Sequence, residues 1–170
     1  MRGTADLQLH YERTGVPIHC YVDADWAGDT TDRKSFTGWA CIAAGAAFTW
    51  DSKKQSVVSL SSTESEYVAL SMAAKEVAYV RKLVNEMGFG ETQATKVYSD
   101  NQSSQCLVKN ETFHARSKHI DIKYHYIREL YKNNIIEVNY VPTENMMADV
   151  LTKNLNRFKH EKCIQGMGLK

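Results

Sequence analysis

The spacing of the apolar residues changes near residue 61, and this change restricts the fold more than any other feature of the sequence. Before it, PIHCYVDADW alternates apolar with polar residues and is rich in β-forming side chains, and the stretches TGWACIAAG and AAFTWDS follow it. Glycines and small residues separate these stretches, which predict three consecutive antiparallel strands. After the change, apolar residues recur every three or four positions over residues 61–87, and Gly88 follows as a stop signal. This second pattern predicts one long amphipathic helix.

Helices and strands alternate through the rest of the chain. TKVYSD predicts a short strand that ends at Asp100, QSSQCLV predicts a short helix, and residues 117–132 carry the apolar spacing of a second clear helix. NIIEVNYVP predicts the last strand, closed by Pro142, and ENMMADVLTK predicts a short helix. No repeat, low-complexity tract or linker divides the 170 residues. We therefore expect one α/β domain with a mixed five-stranded sheet.

Composition removes several classes of protein. No apolar run reaches the roughly 18 residues of a membrane span, and the N-terminus lacks the pattern of a signal peptide, so we expect a soluble intracellular protein. The cysteines are isolated in sequence, and we expect reduced thiols, with Cys20, Cys41 and Cys106 in the core. No set of histidines and cysteines has two close pairs with zinc-ligand spacing. The net charge of +1 neither requires nor excludes a nucleic-acid partner.

Acidic residues fall at the ends of predicted strands and at the starts of predicted helices. Asp23 ends the first strand, Asp100 ends the fourth, Asp149 lies in the helix after the fifth, and Glu64 and Glu66 lie in the first turns of the long helix. Each alone is readily explained as a turn or cap residue. Together they converge at the carboxyl edge of an α/β sheet, where such folds bind ligands. Clustered carboxylates repel one another unless cations hold them, and oxygen ligands favour Mg²⁺ or Mn²⁺.

Glu66, rather than Glu64, is the expected member of this cluster. At about 100° per residue, Glu66 shares a face with the buried stripe of the long helix, whereas Glu64 lies roughly 200° away around the axis. Ser61 and Glu64 also have the spacing of a capping box, which gives Glu64 a local role. The alternative frame pairs Thr63 with Glu66 and would use Glu66 as the cap.

Five motifs resemble, in order and spacing, the ribonuclease H domain at the end of copia-type retrotransposon polyproteins. They are YVDADWAG, SSTESEYVAL, YSDNQSSQCL, RSKHIDIKYHYIREL and NMMADVLTK, and the resemblance covers about residues 3–153. It implies a ribonuclease H-like fold with helices on both faces of the sheet. It also implies a linker from the preceding reverse transcriptase at residues 1–16, the ribonuclease H domain at 17–155 and a C-terminal tail at 156–170.

The resemblance assigns the acidic residues to a catalytic site with two Mg²⁺ ions, for which Mn²⁺ can substitute. It implies that Asp23 bridges both ions and that Asp149 helps to hold the ion that activates water. Glu66 and Asp100 would hold the ion that stabilises the leaving group. The family's glutamate is typically followed by an apolar residue and then, two positions further, by alanine, as in EYVA here.

Short polar residues beside these acids are candidates for reading the 2′-hydroxyl of RNA. They are Ser62, Thr63, Asn101 and Gln102, and for each the alternative is a helix-cap or turn role. Trp26 lies in a loop beside Asp23 and is a candidate for contact with the substrate.

The basic residues of the helix near residue 117 have two interpretations. They could follow the phosphates of a nucleic acid, or they could form a solvated face. The set comprises Arg116, Lys118, His119, Lys123, Arg128 and Lys132. The glycine-rich histidine loop of cellular ribonucleases H has no counterpart in PTENMMA, and His119 is a candidate substitute or, alternatively, a structural hydrogen-bonding residue.

The function implied is an endoribonuclease that cleaves the RNA strand of RNA/DNA hybrids during retrotransposon reverse transcription and leaves 5′-phosphate ends. Its implied partners are the hybrid and the reverse transcriptase domain of the same polyprotein, without a membrane, in the cytoplasmic virus-like particle of the element. Two alternatives are a non-catalytic module that supports a polymerase and an integrase- or transposase-like nuclease core. The sequence disfavours the first because it retains all four acids, and the second because Glu66 precedes Asp100.

Overall fold

The computed structural model describes residues 6–90, 93–109 and 118–170, with residues 118–121 described by their backbone only. A five-stranded mixed sheet forms its centre, with strand order β3-β2-β1-β4-β5. The strands are β1 (His19–Ala24), β2 (Phe36–Ala43), β3 (Ala46–Lys54), β4 (Thr95–Ser99) and β5 (Ile136–Tyr140). β1, β2 and β3 pair antiparallel, whereas β4 pairs parallel with both β1 and β5. The predicted α/β class and mixed five-stranded sheet are confirmed.

Helices cover both faces of this sheet. They are α1 (Ser62–Glu86), α2 (Gln102–Lys109), α3 (Lys118–Lys132) and α4 (Arg157–Gly166). The alternation along β1 and β2 decides which side chains face which helices: Cys20, Val22 and Trp39 pack with α1, α2 and α3, whereas Ala40 and Ile42 face the opposite side. Because both sides are buried, the central strands are apolar at nearly every position.

The chain after β5 differs from the predicted short helix. It forms two short 3-10 helices, Thr143–Asn145 and Met147–Leu151, in place of an α-helix. α4 then begins at a cap, where the side-chain oxygen of Asn156 accepts a hydrogen bond from the Lys159 N–H at 2.9 Å. The predicted tail at residues 156–170 thus contains a helix, and Met167 after it packs on the second face of the sheet. The domain boundaries at residues 16 and 155 stay predictions.

The cysteines are all free in the structure, and two of the three expected core thiols are buried. Cys20 and Cys41 lie opposite each other in the β1–β2 pair. Cys106 is exposed, so the prediction of a core thiol there was wrong. α2 is short and turns Leu107 and Val108 inward, which leaves Cys106 on its solvent side.

Candidate metal centre

Three acidic side chains meet at the carboxyl ends of the two central strands. β1 and β4 are parallel neighbours, so Asp23 near the end of β1 and Asp100 directly after β4 lie at the same edge of the sheet. Glu66 reaches this edge from the second turn of α1. The three residues each offer one carboxylate oxygen, and these oxygens all lie within 4.8 Å of one another. Asp23 is fully buried and Glu66 is 7% exposed, so water screens their charges poorly.

Glu66 carries the clearest sign that the cluster needs a cation. Its Oε2 atom is buried and has no hydrogen-bond partner among the described residues. Burial, together with the charges of Asp23 and Asp100, raises the pKa of Glu66 from 4.5 to about 9. An unpartnered buried carboxylate oxygen beside two further carboxylates fits a hard divalent ion such as Mg²⁺ or Mn²⁺.

Asp149 lies on another side of Asp23, and a lysine connects the two. Asp149 belongs to the 3-10 helix Met147–Leu151 and is 2% exposed. The Nζ atom of Lys153 lies 2.9 Å from Oδ1 of Asp23 and 2.9 Å from Oδ1 of Asp149. Lys159 contacts the other oxygen of Asp149 at 3.0 Å. The structure therefore gathers Asp23, Glu66 and Asp100 into one group and joins Asp149 to it through Lys153.

A glycine allows the segment that carries Asp149 to approach Asp23. Gly38 of β2 pairs with Asp23, and a Cβ atom at Gly38 would lie 2.7 Å from side-chain atoms of both Leu151 and Thr152. Only glycine therefore leaves room for this segment against the strand. Thr152 uses that proximity to donate a hydrogen bond from its hydroxyl to Oδ2 of Asp23.

Asp25, the second aspartate of YVDADW, has a structural role. Its Oδ1 atom accepts a hydrogen bond from the backbone N–H of Phe36, which closes the connection between β1 and β2. Burial raises the pKa of Asp25 against the effect of that hydrogen bond.

Comparison with known proteins yields long matches to plant retrotransposon polyproteins, although no family model matches the chain. The retrovirus-related Pol polyprotein from transposon TNT 1-94 of Nicotiana tabacum is 39% identical over 169 residues, which is 99% of this chain and 13% of the polyprotein. That from transposon RE2 of Arabidopsis thaliana is 34% identical over 170 residues, or 99% of this chain and 12% of the polyprotein. The chain thus spans about an eighth of the length of these relatives.

Solved structures of ribonucleases H have the same fold as this chain. LC11-RNase H1 in complex with an RNA/DNA hybrid gives a TM-score of 0.58 at 15% identity, covering 80% of this chain and 94% of that one. RNase H1 from the halophilic archaeon Halobacterium salinarum gives 0.55 at 17% identity, covering 79% and 93%. The chain belongs to the ribonuclease H-fold domains of retrotransposon Pol polyproteins. The resemblance to the copia-type domain is confirmed.

In this ribonuclease H domain, Ser61 caps α1 as the spacing predicts, and Glu64 reaches back to the residue before the cap. The Ser61 hydroxyl oxygen accepts a hydrogen bond from the Glu64 N–H at 3.1 Å, and the Glu64 carboxylate accepts one from the Leu60 N–H at 2.7 Å. The alternative frame, in which Glu66 caps the helix through Thr63, does not form. Glu66 is therefore available to the acidic cluster.

The residues expected to contact the substrate differ in their exposure and in the hydrogen bonds that they already make. Asn101 caps α2, because its Oδ1 atom accepts a hydrogen bond from the Ser104 N–H at 2.9 Å. Ser62 and Gln102 are exposed, and Thr63 is half-buried. Trp26 is 55% exposed, and its indole N–H donates to the Ser59 carbonyl at 3.1 Å. Contact with RNA stays a prediction for all five.

One member of the basic set on α3 has a structural role. The Arg128 guanidinium donates two hydrogen bonds to the Leu107 carbonyl, at 3.1 and 3.0 Å, and so ties α3 to α2. Arg116 and the side chains of Lys118 and His119 lie outside the described residues. The roles expected for His119 and for a basic face therefore stay predictions.

Sequence reasoning missed the residues that hold Asp23 and Asp149 in the ribonuclease H domain. Thr152 and Lys153 are the last two residues of the motif NMMADVLTK, and Lys153 follows Asp149 at a spacing of four. That spacing was the available signal, because residues four apart on a helical segment lie side by side. Lys159 gave no comparable signal, because α4 was not predicted.

We expect the metal-free domain to lose stability as the pH rises from about 4.5 to about 9. Over this range the folded chain keeps the Glu66 proton that the unfolded chain releases, so a rising pH favours unfolding. With a chelator present, the melting temperature should fall by roughly 10–20 °C across the range. Glu66→Gln should flatten the profile, and a wild-type profile that is flat or parallel to that of the variant would contradict the assignment.

Proposed function

We propose that this chain is a metal-dependent endoribonuclease that cleaves the RNA strand of RNA/DNA hybrids during retrotransposon reverse transcription. The observation that carries the proposal is the buried group of Asp23, Glu66 and Asp100, with an unpartnered Glu66 oxygen, at the edge of a ribonuclease H fold. A non-catalytic module would have no use for such a group, because burying repelling carboxylates costs stability. Plant Pol polyproteins as relatives support the setting in reverse transcription.

The acidic residues are proposed to hold two Mg²⁺ ions, with Mn²⁺ as a substitute. Asp23, Glu66, Asp100 and Asp149 would be the ligands. When bound, the ions supply an activated water and stabilise the leaving 3′-oxygen. The chain contributes a fixed ligand position: the Thr152 hydroxyl donates a hydrogen bond to Oδ2 of the buried Asp23, which holds this carboxylate in place.

Selectivity for RNA is assigned to the polar residues at the rim of the site. Ser62, Thr63 and Gln102 have side chains that reach solvent and could accept from or donate to a 2′-hydroxyl. Asn101 would contribute through its amide nitrogen, since its Oδ1 atom already caps α2. Trp26 offers an exposed ring for contact with the substrate.

The proposed partners are the RNA/DNA hybrid and the reverse transcriptase domain of the same polyprotein, within a cytoplasmic virus-like particle. Prototype foamy virus protease-reverse transcriptase contains a region of the same fold, with a TM-score of 0.50 at 13% identity, covering 88% of this chain and 20% of that one. Among the helices that the structure describes, none combines the length and apolar character needed to cross a bilayer.

End-labelled RNA/DNA hybrid, duplex RNA and duplex DNA provide the test, each incubated with Mg²⁺, Mn²⁺ or excess chelator. We expect cleavage of the RNA strand of the hybrid alone, with 5′-phosphate products, in Mg²⁺ or Mn²⁺. We expect no cleavage with the chelator, because water near neutral pH is too weak a nucleophile unaided. Cleavage that survives the chelator would contradict the mechanism, and cleavage of duplex DNA would favour an integrase-like nuclease.

A further inference from the structure

The positive charge on the Asp149 side of Asp23 comes from the protein itself. The Lys153 ammonium contacts one oxygen of Asp23 and one of Asp149 at 2.9 Å each, and both carboxylates are almost fully buried. Each of these contacts is a hydrogen bond that the ammonium donates to a carboxylate oxygen. The Lys153 ammonium is therefore held between two of the proposed metal ligands.

The Glu66 side of Asp23 differs in this respect. There the buried Glu66 Oε2 atom has no hydrogen-bond partner among the described residues, and Asp100 lies within reach of the same point. The Asp100 Oδ2 atom accepts a hydrogen bond from the Thr143 hydroxyl at 2.7 Å, which is a neutral donor. Lys153 thus contacts the Asp149 side of Asp23 directly, whereas it acts on Glu66 only through its charge.

An ammonium and a divalent ion cannot both occupy the Asp149 side. Mg²⁺ binds oxygen at about 2.1 Å, so an ion bound to the two Oδ1 atoms that contact Lys153 would occupy the position of the ammonium and repel it. Withdrawal of Lys153 is feasible because its side chain is 36% exposed. Asp149 would keep a partner afterwards, because Lys159 contacts its other oxygen at 3.0 Å.

We propose that Lys153 is a tethered cation that occupies the Asp23–Asp149 side of the site and must withdraw before a divalent ion binds there. The proposal rests on the proposed metal-dependent function. Its consequence is ordered loading: the first ion binds among Asp23, Glu66 and Asp100, and the second binds weakly until Lys153 leaves. The lysine stabilises the metal-free domain at the expense of affinity for the second ion.

Titration of the protein with Mn²⁺ in the absence of nucleic acid tests this order. Calorimetry and the electron paramagnetic resonance signal of free Mn²⁺ measure how tightly each ion binds. The wild type should bind one ion more tightly than a second. Lys153→Met should tighten the second site by at least about tenfold, because the competing charge is gone. It should also lower the melting temperature without metal and recover most of that loss at saturating Mn²⁺.

Two further variants serve as controls. Lys159→Met removes a charge from Asp149 but leaves Lys153 between the two Oδ1 atoms, so the second site should tighten clearly less than in Lys153→Met. Lys153→Arg keeps a cation near both carboxylates, so its second site should stay weak. If Lys153→Met fails to fold, the ammonium resonance of Lys153 in the wild type, assigned by its loss in Lys153→Arg, should change most with the second equivalent of diamagnetic Mg²⁺ and little with the first.

The outcomes separate this proposal from the function on which it rests. If Lys153→Met binds the second ion no more tightly than the wild type while the wild type cleaves hybrid, the lysine is a structural ion pair and the inference is wrong. An ammonium resonance that changes fully with the first equivalent of Mg²⁺ would also overturn it. If neither the wild type nor Lys153→Met binds Mn²⁺ and the wild type leaves hybrid intact, the proposed function fails as well.

Discussion

Asp23→Asn is expected to lower the rate of hybrid cleavage by at least about three orders of magnitude while leaving the fold intact. Asp23 is fully buried at the centre of the site, between the Glu66–Asp100 group and Asp149. An amide has nearly the same shape as the carboxylate but offers one oxygen and no charge, so it would bind divalent ions poorly. Measured turnover in Mg²⁺ and Mn²⁺ checks this expectation.

The structure also explains why this substitution should spare stability. The amide oxygen can still accept from the Lys153 ammonium, and the amide nitrogen can donate to the Thr152 hydroxyl oxygen. The amide also avoids the cost of burying the Asp23 charge, which raises the pKa of that residue despite Lys153. The melting temperature should therefore stay within about 3 °C of the wild type.

Asp25→Asn is the matched control. Asp25 lies two positions away, but it accepts a hydrogen bond from the Phe36 N–H, which an amide oxygen can also accept. Activity should stay within about tenfold of the wild type. Wild-type cleavage by Asp23→Asn, or an equal loss in both variants, would remove Asp23 from the centre of the site.

Much of the fold could be predicted from sequence because the central elements have strong periodicity. The alternation along PIHCYVDADW places Cys20 and Val22 on the face of the sheet that packs against α1, α2 and α3. Asp23, Glu66 and Asp100 are expected at one edge for two reasons: acids that follow parallel strands lie together, and Glu66 lies on the buried face of its helix. Both follow from local pattern.

The rest depends on contacts between distant parts of the chain. Lys153 meets Asp23 across 130 positions in sequence, and the meeting requires Gly38 to leave room for the segment after β5. No local pattern specifies such a contact. α4 was not predicted for another reason. Cys163 is the one residue that it buries, so its sequence lacks the repeated apolar spacing that predicted α1.

The second large effect is expected at Glu66, with Glu64 as its matched control two positions away. Glu66→Gln should reduce hybrid cleavage by about two to three orders of magnitude, because the amide cannot supply the anionic oxygen that Glu66 Oε2 offers. The same variant should be more stable than the wild type without metal near pH 8, since it removes a carboxyl group whose pKa is raised to about 9. Parallel measurements of turnover and melting temperature test both expectations.

Glu64→Gln should change neither turnover nor melting temperature much. Glu64 makes a hydrogen bond at the start of α1 and is not a member of the acidic cluster. Its carboxylate accepts from the Leu60 N–H, and a glutamine oxygen can accept the same hydrogen bond with a loss of about 0.5 kcal/mol. Cleavage should therefore stay within about threefold of the wild type.

If the two variants exchanged these behaviours, α1 would have to be rotated in the active enzyme by roughly 160°, which is the shorter way around the axis between Glu64 and Glu66. Such a rotation would expose Leu70, Ala73 and Val77, which the observed helix buries against the sheet. The energetic cost of exposing that stripe is the reason that Glu66, and not Glu64, is the expected ligand.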